Sequence, residues 1–198
     1  HRRLSPLALV FGVAFTAYVA AFAIFFVRGG VQQTVLPLMG RDEIGLSAVA
    51  LSALLMTSAA MSSLLGPYVG GLSDRYGRSQ VLLPGLAALA VGCIVIGLAG
   101  TAPVFIAGML ITSLAGTTFS IPSSMIVDQV GAAQRSSAIG LYRVVGDAAF
   151  TVAPFASGFL MDASGFFAAS AAPAAMVVLA IAAGRVHRRP RARHAAAA

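Results

Sequence analysis

The chain has 198 residues, of which 59% are hydrophobic and 10% are charged, whereas about a quarter of the residues in a soluble domain are charged. Its 13 basic residues, all arginines, outnumber 6 acidic ones and give a net charge of +7. The arginines cluster at the ends of apolar runs and not across a polar surface. The charge therefore indicates membrane topology and excludes a soluble nucleic-acid-binding domain.

Six apolar segments are each long enough to cross a bilayer, which takes about 20 mostly apolar residues in a helix. They are 7–38, 47–72, 80–99, 103–128, 136–161 and 166–186. The connections between them are short, and no long linker divides the chain. We therefore predict an all-α, polytopic membrane protein with six transmembrane helices in one bundle at 1–186, followed by a basic cytoplasmic tail at 187–198.

The first segment begins with 21 uncharged residues from Leu7 to Val27. This run is longer than the ~7–15-residue core of a signal peptide, which predicts a retained helix. As one helix, 7–38 would extend about 48 Å, more than the ~30 Å hydrocarbon core of a bilayer. We therefore expect this helix to be bent or broken at Gly29-Gly30.

Three polar residues, Arg28, Gln32 and Gln33, interrupt the same segment. A cation beside an amide within a membrane helix suggests a cavity that binds an anionic or polar substrate group. The alternative is that the long side chain of Arg28 reaches the outer interface, near Asp42 or Glu43.

Residues 66–79 are predicted to form a short loop between the second and third helices. Gly66, Gly70 and Gly71 lack side chains, which predicts a close approach of two helices near this loop. Gly77 permits the tight turn itself.

The charges of this loop have several predicted partners. Asp74 is placed to accept hydrogen bonds from the N-terminal amides of a neighbouring helix. Arg75 and Arg78 can pair with an acid such as Asp128, or with anionic lipid headgroups. Asp128 and Arg135 bracket the loop after the fourth helix and are expected to anchor it.

The fourth helix carries three hydroxyl residues, Thr117, Thr118 and Ser120, before Pro122. Hydroxyl groups at such positions can bond to their own backbone and allow the proline to bend the helix. We expect a bend here.

The fifth helix has a stripe of small and polar residues within about 80° of one another at 100° per residue. The stripe consists of Gly140, Arg143, Asp147, Thr151, Pro154 and Gly158. Arg143 and Asp147, at positions i and i+4, can neutralise each other. Asp147 is a candidate proton carrier, or the pair a candidate gate; the alternative is a fixed pair that holds this helix against its neighbours.

Two stretches that are three helices apart share a pattern. The first contains Pro67, Gly70, Gly71, Asp74 and Gly77, and the second contains Pro154, Ser157, Gly158, Asp162 and Gly165. A repeat of three crossings must be inverted, since an odd number of crossings reverses the second copy. The pattern thus suggests a 3+3 inverted repeat, and the alternative is chance recurrence of Gly and Pro.

The distribution of arginines predicts the orientation, because cytoplasmic loops carry an excess of basic residues. If the N-terminus is cytoplasmic, ten arginines lie inside and only Arg41 lies outside. The ten are Arg2, Arg3, Arg75, Arg78, Arg135, Arg185, Arg188, Arg189, Arg191 and Arg193. Both termini are therefore expected in the cytoplasm.

The loop motif also carries a family resemblance. The spacing of Gly70, Leu72, Asp74, Arg75, Gly77 and Arg78 resembles the loop motif of the major facilitator superfamily of transporters. Ser79 departs from it, since the family usually has Lys or Arg there. The resemblance implies a latch role for Gly70, Asp74, Arg75, Gly77 and Arg78 in one conformation of an alternating-access carrier.

Proteins of this family have two six-helix halves around a central cavity, and this chain has one set of six. Because the chain begins with His and ends in a basic tail, we expect the C-terminal half of a twelve-helix fold. The resemblance implies a secondary active transporter in the plasma (inner) membrane, with proton-coupled efflux of a small organic solute or drug. Its partners would be that solute, protons, the lipid bilayer and the N-terminal six-helix half of the same polypeptide, with no cofactor.

Two other functional classes, an intramembrane enzyme and a non-transporting protein, need different residues from a transporter. An intramembrane enzyme needs a nucleophile with a base or a set of metal ligands, but the histidines lie only at His1, His187 and His194, outside every span. Cys93 lies within an apolar run and has no partner for a disulfide. A non-transporting scaffold or a split-gene remnant is the remaining alternative, although it would not need Arg28, Arg143 and Asp147 inside the bundle.

Overall fold

A computed structural model describes the backbone of residues 15–195 and the side chains of residues 15–183. The first helix, α1, extends over Phe15–Asp42. It is α-helical at Phe15–Val27, π-helical at Arg28–Val35 and α-helical again at Leu36–Asp42. The predicted start at residue 7 lies outside the described residues.

Four further helices follow, joined by short connections. They are α2 at Ala48–Tyr76, α3 at Arg78–Gly97, α4 at Ala102–Gln129 and α5 at Arg135–Ala195. Ser47 caps α2 by accepting a hydrogen bond from the amide of Ala50 at 3.2 Å, as serine commonly does at a helix start. A short 3-10 turn at Ala132–Gln134 precedes α5.

Among the described residues, five helical segments are long and apolar enough to cross a membrane. The last of them, Ala132–Ala183, has 52 residues and would extend about 78 Å if straight. It is not straight, because Gly165 has non-helical backbone angles of φ 80° and ψ 179°. Met176 packs against Ala149 and Ala153, so the chain folds back on itself at Gly165.

The backbone helix of α5 continues through the predicted tail to Ala195. The tail's arginine side chains lie outside the described residues, and its boundary at residue 187 stays a prediction.

The helix α1 lies at the centre of the bundle, and its side chains make up much of the buried core. It packs in parallel with the first part of α5. Tyr18 donates a buried hydrogen bond to the carbonyl of Ala138 at 3.1 Å, and Phe25 packs against Tyr142 one turn further along. By contrast, α2 lies at the edge of the bundle, where most of its residues are exposed and Ser73 is the one buried residue among those described.

Of the two expected outcomes at Gly29-Gly30, the break was wrong, because α1 remains helical there in its π-helical part, and the bend stays a prediction. The two glycines instead allow α1 to lie directly against α5. A methyl group built on Gly29 would lie 2.7 Å from the carbonyl oxygen of Phe150, and one built on Gly30 would meet the hydroxyl of Ser157. Small residues allow such close helix packing in membranes, and this contact holds the π-helical segment in place.

The expected loop at 66–79 was also wrong in extent. The helix α2 continues to Tyr76, and Gly77 alone connects it to α3. One residue suffices because Gly77 adopts φ 96° and ψ 134°, a backbone conformation in which a side chain is strongly disfavoured. Its amide still donates to the carbonyl of Ser73 at 3.1 Å, which completes the last turn of α2.

The predicted close packing at Gly66, Gly70 and Gly71 is absent within the described chain. A methyl group built on any of the three would meet open space. Gly66 borders a cavity, and no neighbouring helix of the described bundle comes within 4 Å of a methyl group built on any of the three.

The connection between the second and third helices has a counterpart 88 residues later. Gly165 divides α5 much as Gly77 divides α2 from α3, and both glycines have positive φ. Of the expected loop at Asp162–Gly165, only Gly165 is non-helical. Each of these one-residue turns lies within one of the two stretches that share the sequence pattern, and the repeat itself stays a prediction.

The expected bonds from hydroxyl groups to their own backbone in the fourth helix are confirmed for two of the three residues, and the bend at Pro122 stays a prediction. A 3-10 turn at Thr117–Ser120 interrupts α4 before Pro122. Thr117 donates to the carbonyl of Leu114 at 2.7 Å, and Thr118 donates to that of Ala115 at 2.8 Å. These bonds satisfy the hydroxyls within their own helix.

Candidate functional site

A cavity of about 670 Å³ lies between α1, α2 and α4. Its volume is within the range of about 300–1,000 Å³ that is typical of sites for small organic molecules. Its wall combines aliphatic side chains with an arginine, two glutamines and several hydroxyl groups. The lining includes Ile24, Val27, Arg28, Gln32, Gln33, Leu36, Leu55, Ser58, Ser62, Ser63, Leu89, Ser113, Phe119 and Ser120.

Arg28 lies in the wall of this cavity, near the middle of α1. Its guanidinium carbon is 5.0 Å from the ring centroid of Phe119 on α4, a cation–π distance. Among the described residues it has no ion pair, so the alternative contact with Asp42 or Glu43 is not formed. Arg28 is thus exposed on this bundle and lines the cavity without an acidic partner.

Gln32 and Gln33 lie on the same wall as Arg28. All three belong to the π-helical part of α1, where Thr34 also donates to the carbonyl of Gly29 at 3.0 Å. Short π-helical insertions occur frequently at functional sites, since they change the direction in which side chains project. Sequence reasoning placed these residues together but did not indicate the π-helix.

Three serines join α2 to α4 beside the cavity. The hydroxyls of Ser58 and Ser113 are hydrogen-bonded to each other, and Ser62 donates to the backbone carbonyl of Ser113 at 2.8 Å. Hydrogen bonds between membrane helices contribute about 0.6 kcal/mol on average. Sequence reasoning missed this cluster; its signal was the spacing of Ser58 and Ser62, one helical turn apart in an apolar run.

The second candidate region is the charged turn at the end of α2. Arg78 bridges two acids: its Nη1 lies 2.7 Å from Asp74 Oδ1, and its Nε lies 2.9 Å from Asp128 Oδ2. The predicted pairing of Arg78 with Asp128 is confirmed. It ties the turn between α2 and α3 to the C-terminal end of α4, so both lie at the same end of the bundle.

Other residues of the turn behave differently from expectation. Asp74 does not cap α3, whose start has no side-chain cap, because Arg78 holds its carboxylate instead. Arg75 is exposed and forms no ion pair among the described residues. Gly70 contributes its carbonyl, which accepts a hydrogen bond at 2.9 Å from the buried hydroxyl of Ser73, a residue that sequence reasoning did not select.

Arg143 and Asp147 both project from an exposed face of α5. The predicted ion pair between them is not formed in the described structure, because no neighbouring side chain of this bundle holds them together. The opposite face of α5 is the one buried against α1, and it includes Ala138, Tyr142, Ala149, Ala153 and Ser157. The two charges thus lie away from the cavity.

Comparison with known proteins identifies the family. A family model described as Major Facilitator Superfamily matches residues 5–198. The chain belongs to the major facilitator superfamily. This membership bears out the resemblance carried by the loop motif, and at the level of the family it indicates a membrane transporter and not an enzyme.

Individual superfamily members extend this finding. The class G tetracycline resistance protein of Vibrio anguillarum is 32% identical over 133 residues, covering 66% of this chain and 34% of that protein. The class B tetracycline resistance protein of Escherichia coli is 27% identical over 137 residues, covering 68% of this chain and 34% of that protein. The chain thus spans about a third of the length of the curated relatives that it matches.

The fold has also been seen in a solved structure of the superfamily. The human organic anion transporter MFSD10 (TETRAN) superposes with a TM-score of 0.74 at 19% identity. The match covers 90% of this chain and 46% of that one. At this identity the likeness shows the fold alone.

Proposed function

We propose that the chain is the C-terminal six-helix half of a secondary active transporter that moves a small organic solute or drug by alternating access. The observation that carries the proposal is the cavity of about 670 Å³ with Arg28 in its wall, near the middle of a helix long enough to cross the membrane. Polar residues inside a membrane protein ordinarily mark a substrate or ion pathway. The coverage of 90% against 46% in the structural comparison supports a half of a larger fold.

In this proposal the chain crosses the membrane six times. The 52-residue segment Ala132–Ala183 is more than twice as long as one crossing of a ~30 Å hydrocarbon core requires. The reversal at Gly165 supports two crossings here, and the matching turns at Gly77 and Gly165 support the 3+3 inverted repeat.

The N-terminal six-helix half of the same polypeptide is the proposed partner. A charged side chain at the centre of a membrane helix costs about 2.5–3.5 kcal/mol on insertion scales. Arg143 and Asp147 are exposed on this bundle, so protein or water should cover them. Most residues of α2 are also exposed on this bundle, which supports a second half that covers them.

Both termini are proposed to be cytoplasmic, and the arrangement of the helix ends supports this topology. The Arg78–Asp128 contact joins two turns at one end of the bundle. At the other end, Gly97 of α3 lies against Phe167 and Ser170, just after the turn at Gly165. The arginine-rich turn and the arginine-poor turn are therefore about 30 Å apart, since α3 has 20 residues and rises 1.5 Å per residue.

We further propose that the charged turn is the conformational latch, with Gly70, Asp74, Arg75, Gly77 and Arg78 as its members. Because Arg78 contacts Asp74 on its own hairpin and Asp128 on α4, a movement of α2 relative to α4 would break the second contact. Exposed ion pairs of this kind are weak, which suits a contact that must open and close.

Proton coupling is proposed to involve Asp147, with Arg143 as its neighbour on the same face of α5. The two side chains are not paired in the described structure, so the carboxylate is not held by an arginine of this bundle. Export of the solute would then be driven by proton entry.

The test is reconstitution of the full polypeptide in proteoliposomes with an imposed pH gradient. A panel of small organic solutes is screened for gradient-driven accumulation, with a dissipated gradient as the control. Accumulation of at least one solute is expected. If none moves and no proton flux accompanies any of them, the scaffold alternative replaces the transporter.

The role of Asp147 has its own test, with a matched control in the same helix. Asp147→Asn should abolish gradient-driven uptake while leaving counterflow exchange intact, since exchange needs no net proton movement. Asp162→Asn, an exposed acid near the turn at Gly165, should leave both unchanged. Unaltered coupling in Asp147→Asn would exclude the carrier role.

A further inference from the structure

We propose that the cavity takes organic anions, with the acid group of the ligand bound by Arg28 and its hydrocarbon body against the aliphatic wall. This inference rests on the proposed function only in treating the cavity as the solute site. It assigns a ligand class from the charges and geometry of the cavity wall.

The sign of the charge is the first argument. Arg28 is the one charged residue among the described residues that line the cavity, and no Asp or Glu lines it. Its guanidinium has no ion pair in the described structure. Opposite charges attract, so an unpaired cation in the cavity wall, with no acid beside it, favours an anionic ligand and disfavours a cationic one.

The geometry of Arg28 is the second argument. The guanidinium carbon lies over the ring of Phe119, 5.0 Å from its centroid. A cation–π contact needs no N–H hydrogen bond, and the planar fork of guanidinium N–H groups matches the two oxygens of a carboxylate. A planar oxyanion is therefore the acid group that fits best.

The remaining wall groups suit the rest of such a ligand. Gln32 and Gln33 add amide donors beside Arg28, and the hydroxyls of Ser63 and Ser120 face the same space. Among the described residues, none of these four side chains forms a hydrogen bond with another protein group.

The apolar part of the wall would hold a hydrocarbon or aromatic body. It is formed by Ile24, Val27, Leu36, Leu55 and Leu89. An apolar wall joined to convergent polar groups suits a small organic molecule that carries both kinds of surface.

The test is equilibrium binding to the purified full polypeptide in detergent, measured by fluorescence anisotropy with two xanthene dyes of similar size and opposite charge. We expect 6-carboxyfluorescein, an anion, to bind and rhodamine 123, a cation, to bind at least about tenfold more weakly. Arg28→Gln should raise the Kd for 6-carboxyfluorescein by about 10- to 100-fold, the range expected for loss of a charge-assisted hydrogen bond. Arg28→Lys should give an intermediate Kd, because it keeps the charge but loses the planar fork.

The matched control is Arg41→Gln, which removes an exposed arginine from the end of the same helix, outside the cavity lining; its Kd should equal that of the unaltered protein. Preferential binding of rhodamine 123, binding of neither dye, or an unchanged Kd in Arg28→Gln would overturn the proposal. The comparison of the two dyes needs no variant, so it decides the matter even if Arg28→Gln does not fold. Anion binding without gradient-driven transport would contradict the proposed function and leave this inference standing.

Discussion

Replacing Gly29 with Ala tests the contact on which the geometry of the cavity wall depends. Gly29 follows Arg28 directly in the π-helical part of α1 and lies against the backbone of α5. The added methyl group would lie 2.7 Å from the carbonyl oxygen of Phe150 and 3.3 Å from the Cβ of Ala153. Both neighbours are backbone or Cβ atoms, so neither can rotate away.

The expected magnitude follows from that distance. Contacts between aliphatic carbon and a carbonyl oxygen ordinarily lie at about 3.3 Å or more, so α1 and α5 must separate by about 0.6 Å. Overpacking of this kind typically costs about 1–3 kcal/mol. Replacing glycine with alanine within a helix also stabilises the helix by about 0.5–1 kcal/mol. A matched control is needed to subtract this stabilisation.

Gly70→Ala is that control, because Gly70 is helical and a methyl group there meets open space. The difference between the two variants isolates the steric cost. For a chain of this size a change of 1 kcal/mol shifts the melting temperature by about 2–4 °C. Gly29→Ala should therefore melt about 2–12 °C below Gly70→Ala.

The chain carries its own reporter for this measurement. It has no Trp, and its single Cys93 is fully buried, so a fluorogenic maleimide should react only when the bundle opens. Cysteines of the polypeptide outside residues 1–198 would first be replaced with serine. If Gly29→Ala melts at or above the temperature of Gly70→Ala, the close packing of α1 on α5 is not a feature of the folded protein.

Three further outcomes are expected. Gly165→Ala should have a lower melting temperature than Gly158→Ala, because the backbone conformation of Gly165 costs other residues about 1–3 kcal/mol, whereas a methyl group on Gly158 meets open space. Equal melting temperatures would contradict the positive φ of Gly165 in the folded protein. A double-mutant cycle on Arg78 and Asp128 should give a coupling of at most about 1 kcal/mol, since both side chains are partly exposed, and a larger value would refute a weak contact. Cys93 should resist maleimide in the folded protein and react fully in denaturant. Labelling of the folded protein would contradict the burial of Cys93 in the core.

The helical segments were predictable from the sequence because lipid offers the backbone no hydrogen-bonding partners. A chain that crosses the hydrocarbon must satisfy each amide and carbonyl within its own helix, so the length of an apolar run nearly determines the element. The fourth helix shows this well, since its predicted range of 103–128 compares with Ala102–Gln129 in the structure. The contact of Arg78 with Asp128 was also foreseeable, because both flank short turns at the same end.

The extent of the turn at Gly77 was not foreseeable in the same way. Charged residues within 66–79 suggested a loop, yet Asp74 and Arg75 belong to the last turn of α2. Charges at a helix end can remain helical when the helix projects beyond the hydrocarbon, so polarity alone does not locate the end of a membrane helix.

The sequence by itself determined that this is an all-helical membrane chain of the major facilitator type, because run length, the arginine pattern and the motif around Asp74 depend on local residues and on the bilayer as solvent. Only the tertiary structure decided which glycines pack, since Gly29 meets α5 whereas Gly70 meets nothing. It likewise decided that Arg28 faces a cavity and that Arg143 and Asp147 stay apart. Whether a helix face is covered depends on which neighbour lies beside it, and that neighbour is brought there by parts of the chain more than a hundred residues away.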